Sequence, residues 1–275
     1  MTIPPEICQL ATMLDDPDNR VALNLLAQLL AREEDLGTLP EQLRQAPDPL
    51  VRQRAKMLQH ALIMRQHRRK VSQIWQDGNE PDIFAILTIL HLLWFDSDSQ
   101  SDIQQDIESF TGHAAKFSLQ SLEDAELFMR SLCVLPEKET VIRPELYCIG
   151  SVLDQQCGAT SLLLTVIREL LGREKFQLVN IMGEFGLMDS NCRVLLGNGS
   201  WHLADCPGVE PEAWSSCQML KYLTLTLLSC AVNSDSYRYV MSLTQALTGD
   251  ESRDIYASFP YPFGKEERFR KNLQH

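Results

Sequence analysis

One cysteine stands at the start of a stretch whose apolar spacing predicts an amphipathic helix. The segment CGATSLLLTVIRELLG runs from Cys157 to Gly172, and glycine commonly terminates a helix. A thiolate at a helix amino terminus is stabilised by the helix dipole and can attack an amide or peptide carbonyl. Further along, WHLAD places Trp201 four residues before Asp205. These residues raise the question of whether Cys157 is a nucleophile or only a small residue that fills space.

After the cysteine helix, the spacing of apolar residues changes from a helical pattern to a strand pattern. FQLVNIM (176–182) is a strand candidate, and CRVLL (192–196) with SWHLAD (200–205) predicts a hairpin around Gly197 and Gly199. One helix followed by about three strands is therefore expected to carry the candidate site.

A helix from a cysteine, then antiparallel strands ending in Trp-x-x-x-Asp, resembles the transglutaminase-like (papain-like) core. The closer resemblance is to the bacterial SirB-type transglutaminase-like proteins with helical flanks, carried by VLDQQCGATSLLL, VNIMGEF and LADCPG. It is strong over residues 144–210. The resemblance implies Cys157 as nucleophile and Asp205 as orienting carboxylate. It also implies a cleft with Trp201 and with Gln155 or Gln156 near the oxyanion.

The catalytic base of that family is missing here. Its Gly-His-Phe motif corresponds to Gly183-Glu184-Phe185, so Glu184 replaces the histidine, and an alignment counted back from Trp201 gives Asp189 instead. His202 is three residues from Asp205 and is expected on the opposite strand face. A carboxylate beside the thiol disfavours the thiolate and raises the thiol pKa.

Three hypotheses follow from these residues. The first, which we favour, is a transglutaminase-like scaffold that has lost its chemistry and serves as a regulatory or protein-binding protein. The second is an active cysteine acyltransferase or peptidase that uses Cys157, Asp205 and an unidentified base. The third is a purely structural helical-repeat protein in which Cys157 is an ordinary buried residue.

The flanking sequence is helical: the apolar run 83–95 predicts a buried helix, whereas residues 136–143 predict a loop. Asp16-Pro17 with Arg20 recurs thirty-two residues later as Asp48-Pro49 with Arg52, which predicts two HEAT-like repeats within residues 10–75. The proline suits the first turn of each helix, and the aspartate before it can cap that helix. The predicted class is α+β and mostly helical. Its parts are a helical region (1–143), a small antiparallel-sheet transglutaminase-like core (144–210), and a TPR-like hairpin with a tail (211–275).

Composition narrows the classes of partner. The net charge of −12 argues against nucleic acid or an anionic membrane, and no apolar run reaches transmembrane length. MTIPPEICQL has no basic region followed by an apolar one, so no signal peptide is expected. Together with scattered cysteines, this predicts reduced thiols in a cytoplasm.

A zinc site and a docking helix are the remaining alternatives. Zinc would need the long-range set of Cys192, Cys206, Cys217 and His202, which lacks close ligand pairs, so no metal or cofactor is expected. The basic stretch from Arg52 to Lys70 offers a face for an acidic protein partner, with Arg65, Arg68 and Arg69 as candidate binding residues. The competing interpretation is a solvated face partly paired with the acidic segment after it.

Overall fold

A computed structural model describes residues 3–77, 80–138, 140, 142–205, 210–234, 236–251 and 257–259. Of these described residues 64% are helical, and they include a small five-stranded antiparallel sheet. The predicted class, mostly helical α+β, is confirmed.

The described elements are numbered in chain order. The helices are α1 (Pro5–Thr12), α2 (Asn19–Ala31), α3 (Leu39–Arg44), α4 (Pro49–Asp77), α5 (Ile83–Trp94), α6 (Gln100–Phe117), α7 (Leu122–Ser131), α8 (Ile149–Gln155), α9 (Thr160–Leu171), α10 (Ser216–Asn233) and α11 (Tyr237–Thr248). The strands are β1 (Leu135–Glu137), β2 (Cys157–Ala159), β3 (Gln177–Ile181), β4 (Glu184–Met188), β5 (Arg193–Gly197), β6 (Trp201–Asp205) and β7 (Glu212–Trp214).

The chain divides into two compact units. Unit 1 comprises residues 1–70 and 235–275, and unit 2 comprises residues 71–234. The core of unit 1 is built from buried leucines of α2 and α4 together with Ile7 and Phe259. The predicted domain boundaries at residues 143 and 210 both fall inside unit 2 and stay predictions.

Capping aspartates begin the two helices of the predicted repeat. The Asp48 carboxylate accepts from the Leu50 backbone N–H at 2.6 Å, and Pro49 is the first residue of α4, as the Asp-Pro pattern predicts. In the first copy the cap is Asp18, which accepts from the Arg20 backbone N–H at 2.8 Å. The predicted cap, Asp16, instead accepts from the Asp18 N–H, because α2 begins two residues later than the repeat predicts.

The sheet of unit 2 has the order β6-β5-β4-β3-β7. The predicted strands correspond to β3, β5 and β6, whereas β4 and β7 were not predicted. Helix α9 packs against β3 and β4, and α7 packs against the edge strand β6. The turns after β3 and after β5 lie at the same end of the sheet, because Gly186 pairs with Leu196. We call this the turn end of the sheet, formed by residues 181–184 and 197–201.

Candidate functional site

The cysteine lies before the helix and does not open it. Cys157 is the first residue of β2, and α9 begins three residues later at Thr160 with Ala159 as its cap. The predicted end of the helix at Gly172 is confirmed. Because the dipole of a helix acts mainly within its first turn, the thiol gains less from α9 than the sequence predicts.

The carboxylate that bonds to the thiol comes from a strand that the sequence did not predict. β1 pairs with β2 in parallel, with Leu135 opposite Cys157 and Glu137 opposite Ala159. The Cys157 Sγ donates a hydrogen bond to Glu137 Oε1 at 3.8 Å. The predicted loop 136–143 therefore delivers a carboxylate to the candidate nucleophile.

These surroundings disfavour the thiolate. Partial burial and then the carboxylate of Glu137 raise the pKa of the Cys157 thiol above its ordinary value, while the Arg143 guanidinium opposes them. A nucleophilic cysteine needs the opposite arrangement, a neighbouring cation that lowers the thiol pKa. The geometry keeps Cys157 as a neutral thiol near pH 7.

Hydrogen bonds fasten the turn end of the sheet to β1 and to the start of α9. The Thr160 hydroxyl lies 2.7 Å from the Gly197 carbonyl and 3.1 Å from the Glu137 carbonyl. The Gly199 N–H donates to the Pro136 carbonyl at 3.0 Å. The cysteine, Glu137 and the turn after β5 are thereby held in one place.

Replacing Gly197 with alanine tests this junction. A Cβ at Gly197 would lie 2.7 Å from Pro136 Cβ and 3.0 Å from Thr160 Cγ2, so β5 has to move away from β1. We expect the free energy of unfolding to fall by about 2 kcal/mol, the usual cost of overpacking. Thermal or urea unfolding followed by circular dichroism measures the change.

Gly112→Ala is the matched control, because a Cβ at this position of α6 meets no atom within 4 Å. Alanine favours a helix over glycine by up to about 1 kcal/mol, so this variant should be slightly more stable. If both variants changed the free energy of unfolding by the same amount, Gly197 would not be closely packed against β1 and the start of α9.

Glu184 and Asp205 lie at opposite ends of the sheet. Glu184 begins β4 at the turn end and accepts from the Asn198 side chain at 3.3 Å. Asp205 ends β6, pairs with Arg193 and is four residues from Trp201, about 13 Å along a strand. The structure brings Glu184 to the end of the sheet that contacts the start of α9, and it does not bring Asp205 there.

Two of the three predicted cleft residues, Trp201 and Gln156, make contacts that hold the fold together. Trp201 is 2% exposed, and its indole N–H donates to the Val134 carbonyl at 2.8 Å, so it belongs to the core and does not line an open cleft. Gln155 ends α8 and is exposed, whereas Gln156 adopts a left-handed conformation with φ of 53°. The Gln156 carbonyl accepts from the Leu135 N–H at 2.9 Å, which starts the β1–β2 pairing.

A small apolar cavity of about 50 Å³ lies beside Gln156. Apolar side chains of α6, α8 and α9 line it, together with Leu132 and Val134. It is too small for a substrate of drug-like size.

The histidines of the described chain have other environments. His91 is 2% exposed, its Nε2 lies 2.9 Å from Asp98 Oδ2, and its Nδ1 accepts from the Gly150 N–H. His113 lies against the Ser109 carbonyl. His202 is exposed on β6, next to buried Trp201 and therefore on the opposite strand face.

His60 and His67 belong to α4 in unit 1. Burial and then the charge of Lys70 lower the pKa of His67 to about 4. Within the described part of the chain, no imidazole donates to or accepts from the Cys157 thiol, whose hydrogen-bond partner is Glu137. The missing base is therefore not supplied by a histidine of these segments.

The candidate binding arginines make contacts inside unit 1. Arg65 is 7% exposed and donates to the Leu30 carbonyl at 2.6 Å and to Glu33, and Arg68 is 3% exposed and donates to the Ser258 hydroxyl. Arg69 pairs with Glu33 and Glu251. Glu33 and Glu251, the acidic partners described for Arg65 and Arg69, both belong to unit 1.

The structure describes three of the four residues of the zinc alternative, Cys192, Cys217 and His202, and they form no metal-binding group. Cys206 lies outside the described residues, and the described part of the chain contains no group of three metal-binding side chains. The described cysteines are free thiols. No helix in the described ranges has the length and apolar character needed to cross a membrane.

Comparisons with protein-family models, curated proteins and solved structures found no match to this chain.

Proposed function

We propose that this chain is a non-catalytic scaffold of the SirB-type, transglutaminase-like kind that binds a protein partner in a regulatory role. The observation that carries the proposal is the Cys157 thiol facing the Glu137 carboxylate at 3.8 Å. In the proposed arrangement HEAT-like helices precede the transglutaminase-like core and a TPR-like hairpin follows it. The proposed setting is a reducing cytoplasm, in keeping with the free thiols of the described cysteines.

The charges around Cys157 support the proposal that the chain does not catalyse acyl transfer. Acyl transfer by a cysteine needs a thiolate for attack and a proton donor for the leaving group. Glu137 disfavours the thiolate, and Asp205 lies at the far end of β6. Among the described residues, no imidazole bonds to the Cys157 thiol for Asp205 to orient. A neutral thiol beside a carboxylate provides neither function at pH 7.

The experiment combines capture of the partner with a test for covalent chemistry. Cells that express the wild type, Cys157→Ser or Cys133→Ser are treated with an amine-reactive crosslinker, and captured proteins are identified by mass spectrometry. Cys133 is an exposed cysteine and provides the matched control. We expect the same partner at the same yield, within about twofold, from all three proteins, because binding does not require the thiol.

The same proteins are incubated with a glutamine-amide probe and with a thioester acyl donor. We expect no acyl adduct on Cys157 of the wild type at pH 7. An adduct on Cys157 that is absent from Cys133, or loss of the partner in Cys157→Ser alone, would support the cysteine acyltransferase or peptidase instead.

A further inference from the structure

We infer that Glu137 is a positioning residue that holds the Cys157 thiol as a hydrogen-bond donor, in a contact built into the β1–β2 ribbon. This inference rests on the proposed function and assigns its chemical cause to a single side chain. It also gives the Cys157 thiol a structural role, because its hydrogen bond joins β2 to the end of β1.

The backbone dictates the contact. In the parallel pair, Leu135 is opposite Cys157 and Glu137 is opposite Ala159. Side chains two residues apart on a strand share one face, so Glu137 and Cys157 project from the same side of the ribbon. Neighbouring side chains of adjacent strands are within reach of each other, which accounts for the 3.8 Å separation of Sγ and Oε1.

Other bonds fix the position of Glu137 independently of the thiol. Its backbone carbonyl accepts from the Thr160 hydroxyl at 3.1 Å, and the preceding residue, Pro136, accepts from the Gly199 N–H. Because the backbone is fastened on both sides, a change confined to the Glu137 side chain should leave the ribbon in place.

Among the described residues, Glu137 and Arg143 act on the thiol in opposite directions. The Glu137 carboxylate disfavours the thiolate, and the Arg143 guanidinium, from the segment just before α8, favours it. Partial burial adds to the effect of Glu137. Removing either charge should therefore change the reactivity of Cys157 with a predictable sign.

The test is the rate at which iodoacetamide alkylates Cys157 in the native full-length chain between pH 6 and pH 10. Mass spectrometry compares it with exposed Cys133 in the same molecule, so that the reagent concentration cancels. Glu137→Gln keeps the size of the side chain and removes its charge. We expect this variant to raise the relative rate of Cys157 at pH 8 by about three- to tenfold, with the pH profile moved to lower pH.

Glu184→Gln is the matched control, because Glu184 is an exposed carboxylate that bonds to Asn198 at the turn end of the sheet. It should leave the relative rate within about twofold of the wild type. Arg143→Gln should lower the rate at pH 8, and this opposite sign separates charge from a general loosening of the fold. Circular dichroism checks that each variant is folded.

The possible results distinguish this inference from the proposed function. If wild-type Cys157 outpaces Cys133 at pH 6, the thiol is activated and the non-catalytic proposal fails. If the wild type is slow but Glu137→Gln is no faster, only the role of Glu137 is overturned. If the Glu137→Gln protein does not fold, Arg143→Gln provides the test. An alkylation rate of Cys157 in Arg143→Gln that is equal to or higher than in the wild type overturns the inference.

Discussion

Replacing Trp201 with alanine is expected to lower the free energy of unfolding by about 4 kcal/mol, which is typical of a large aromatic side chain removed from a core. The side chain is 2% exposed, and its indole N–H donates to the Val134 carbonyl at 2.8 Å. Its own carbonyl accepts from Arg130 at 2.6 Å, so the start of β6 is tied to α7 as well. Urea unfolding followed by far-ultraviolet circular dichroism measures the loss.

Trp201→Phe separates packing from hydrogen bonding. Phenylalanine retains an aromatic ring and lacks the N–H, so the Val134 carbonyl is left unpaired at a cost of about 1–3 kcal/mol. The alanine variant should therefore be clearly less stable than the phenylalanine variant. A loss below about 1 kcal/mol in Trp201→Ala would mean that Trp201 lines an open cleft, as the sequence predicts.

Replacing Arg65 with alanine is expected to lower the free energy of unfolding by about 3–4 kcal/mol. The Arg65 guanidinium donates to the Leu30 carbonyl at 2.6 Å and pairs with Glu33 at 3.1 Å, with 9% of its side chain exposed. Truncation leaves that buried carbonyl without this donor and removes the packed alkyl chain. Urea unfolding of the full chain, compared with the wild type, measures the effect.

Lys56→Ala is the control on the same helix, because Lys56 is exposed and its removal should change stability by no more than about 0.5 kcal/mol. The pair also tests the hypothesis that the basic stretch of α4 binds an acidic partner. If Arg65→Ala keeps full stability and loses the captured partner, the guanidinium serves binding and not the fold of unit 1.

The sequence predicts those helices whose own residues carry a continuous apolar run or a terminating glycine. The apolar run 83–95 predicted a buried helix, and α5 (Ile83–Trp94) is buried along almost its whole length. The glycine at position 172 predicted the end of α9. β4 was not predicted, because buried Gly186 interrupts the alternation of its strand. A Cβ there would lie 2.4 Å from Val194, so only glycine fits, and residue propensity argues against a strand.

The candidate site was less predictable, because its decisive contact joins distant segments. Glu137 is twenty residues before Cys157, in a stretch where a proline predicts a loop, and a three-residue parallel strand leaves no periodic pattern. The family resemblance implies that Asp205 is the carboxylate that orients the catalytic base. Pairing of β5 with β6 instead places Asp205 beside Arg193, at the end of the sheet away from the junction with α9. Register of this kind depends on the assembled sheet and not on local sequence.

The cavity of about 50 Å³ beside Gln156 makes the stability of unit 2 sensitive to hydrostatic pressure. Space of this kind disappears when a protein unfolds, so hydrostatic pressure favours the unfolded state more strongly as such space increases. The cavity adjoins the residue immediately before Cys157. High pressure should therefore favour unfolding of unit 2, and the contact between Glu137 and Cys157 is lost with it.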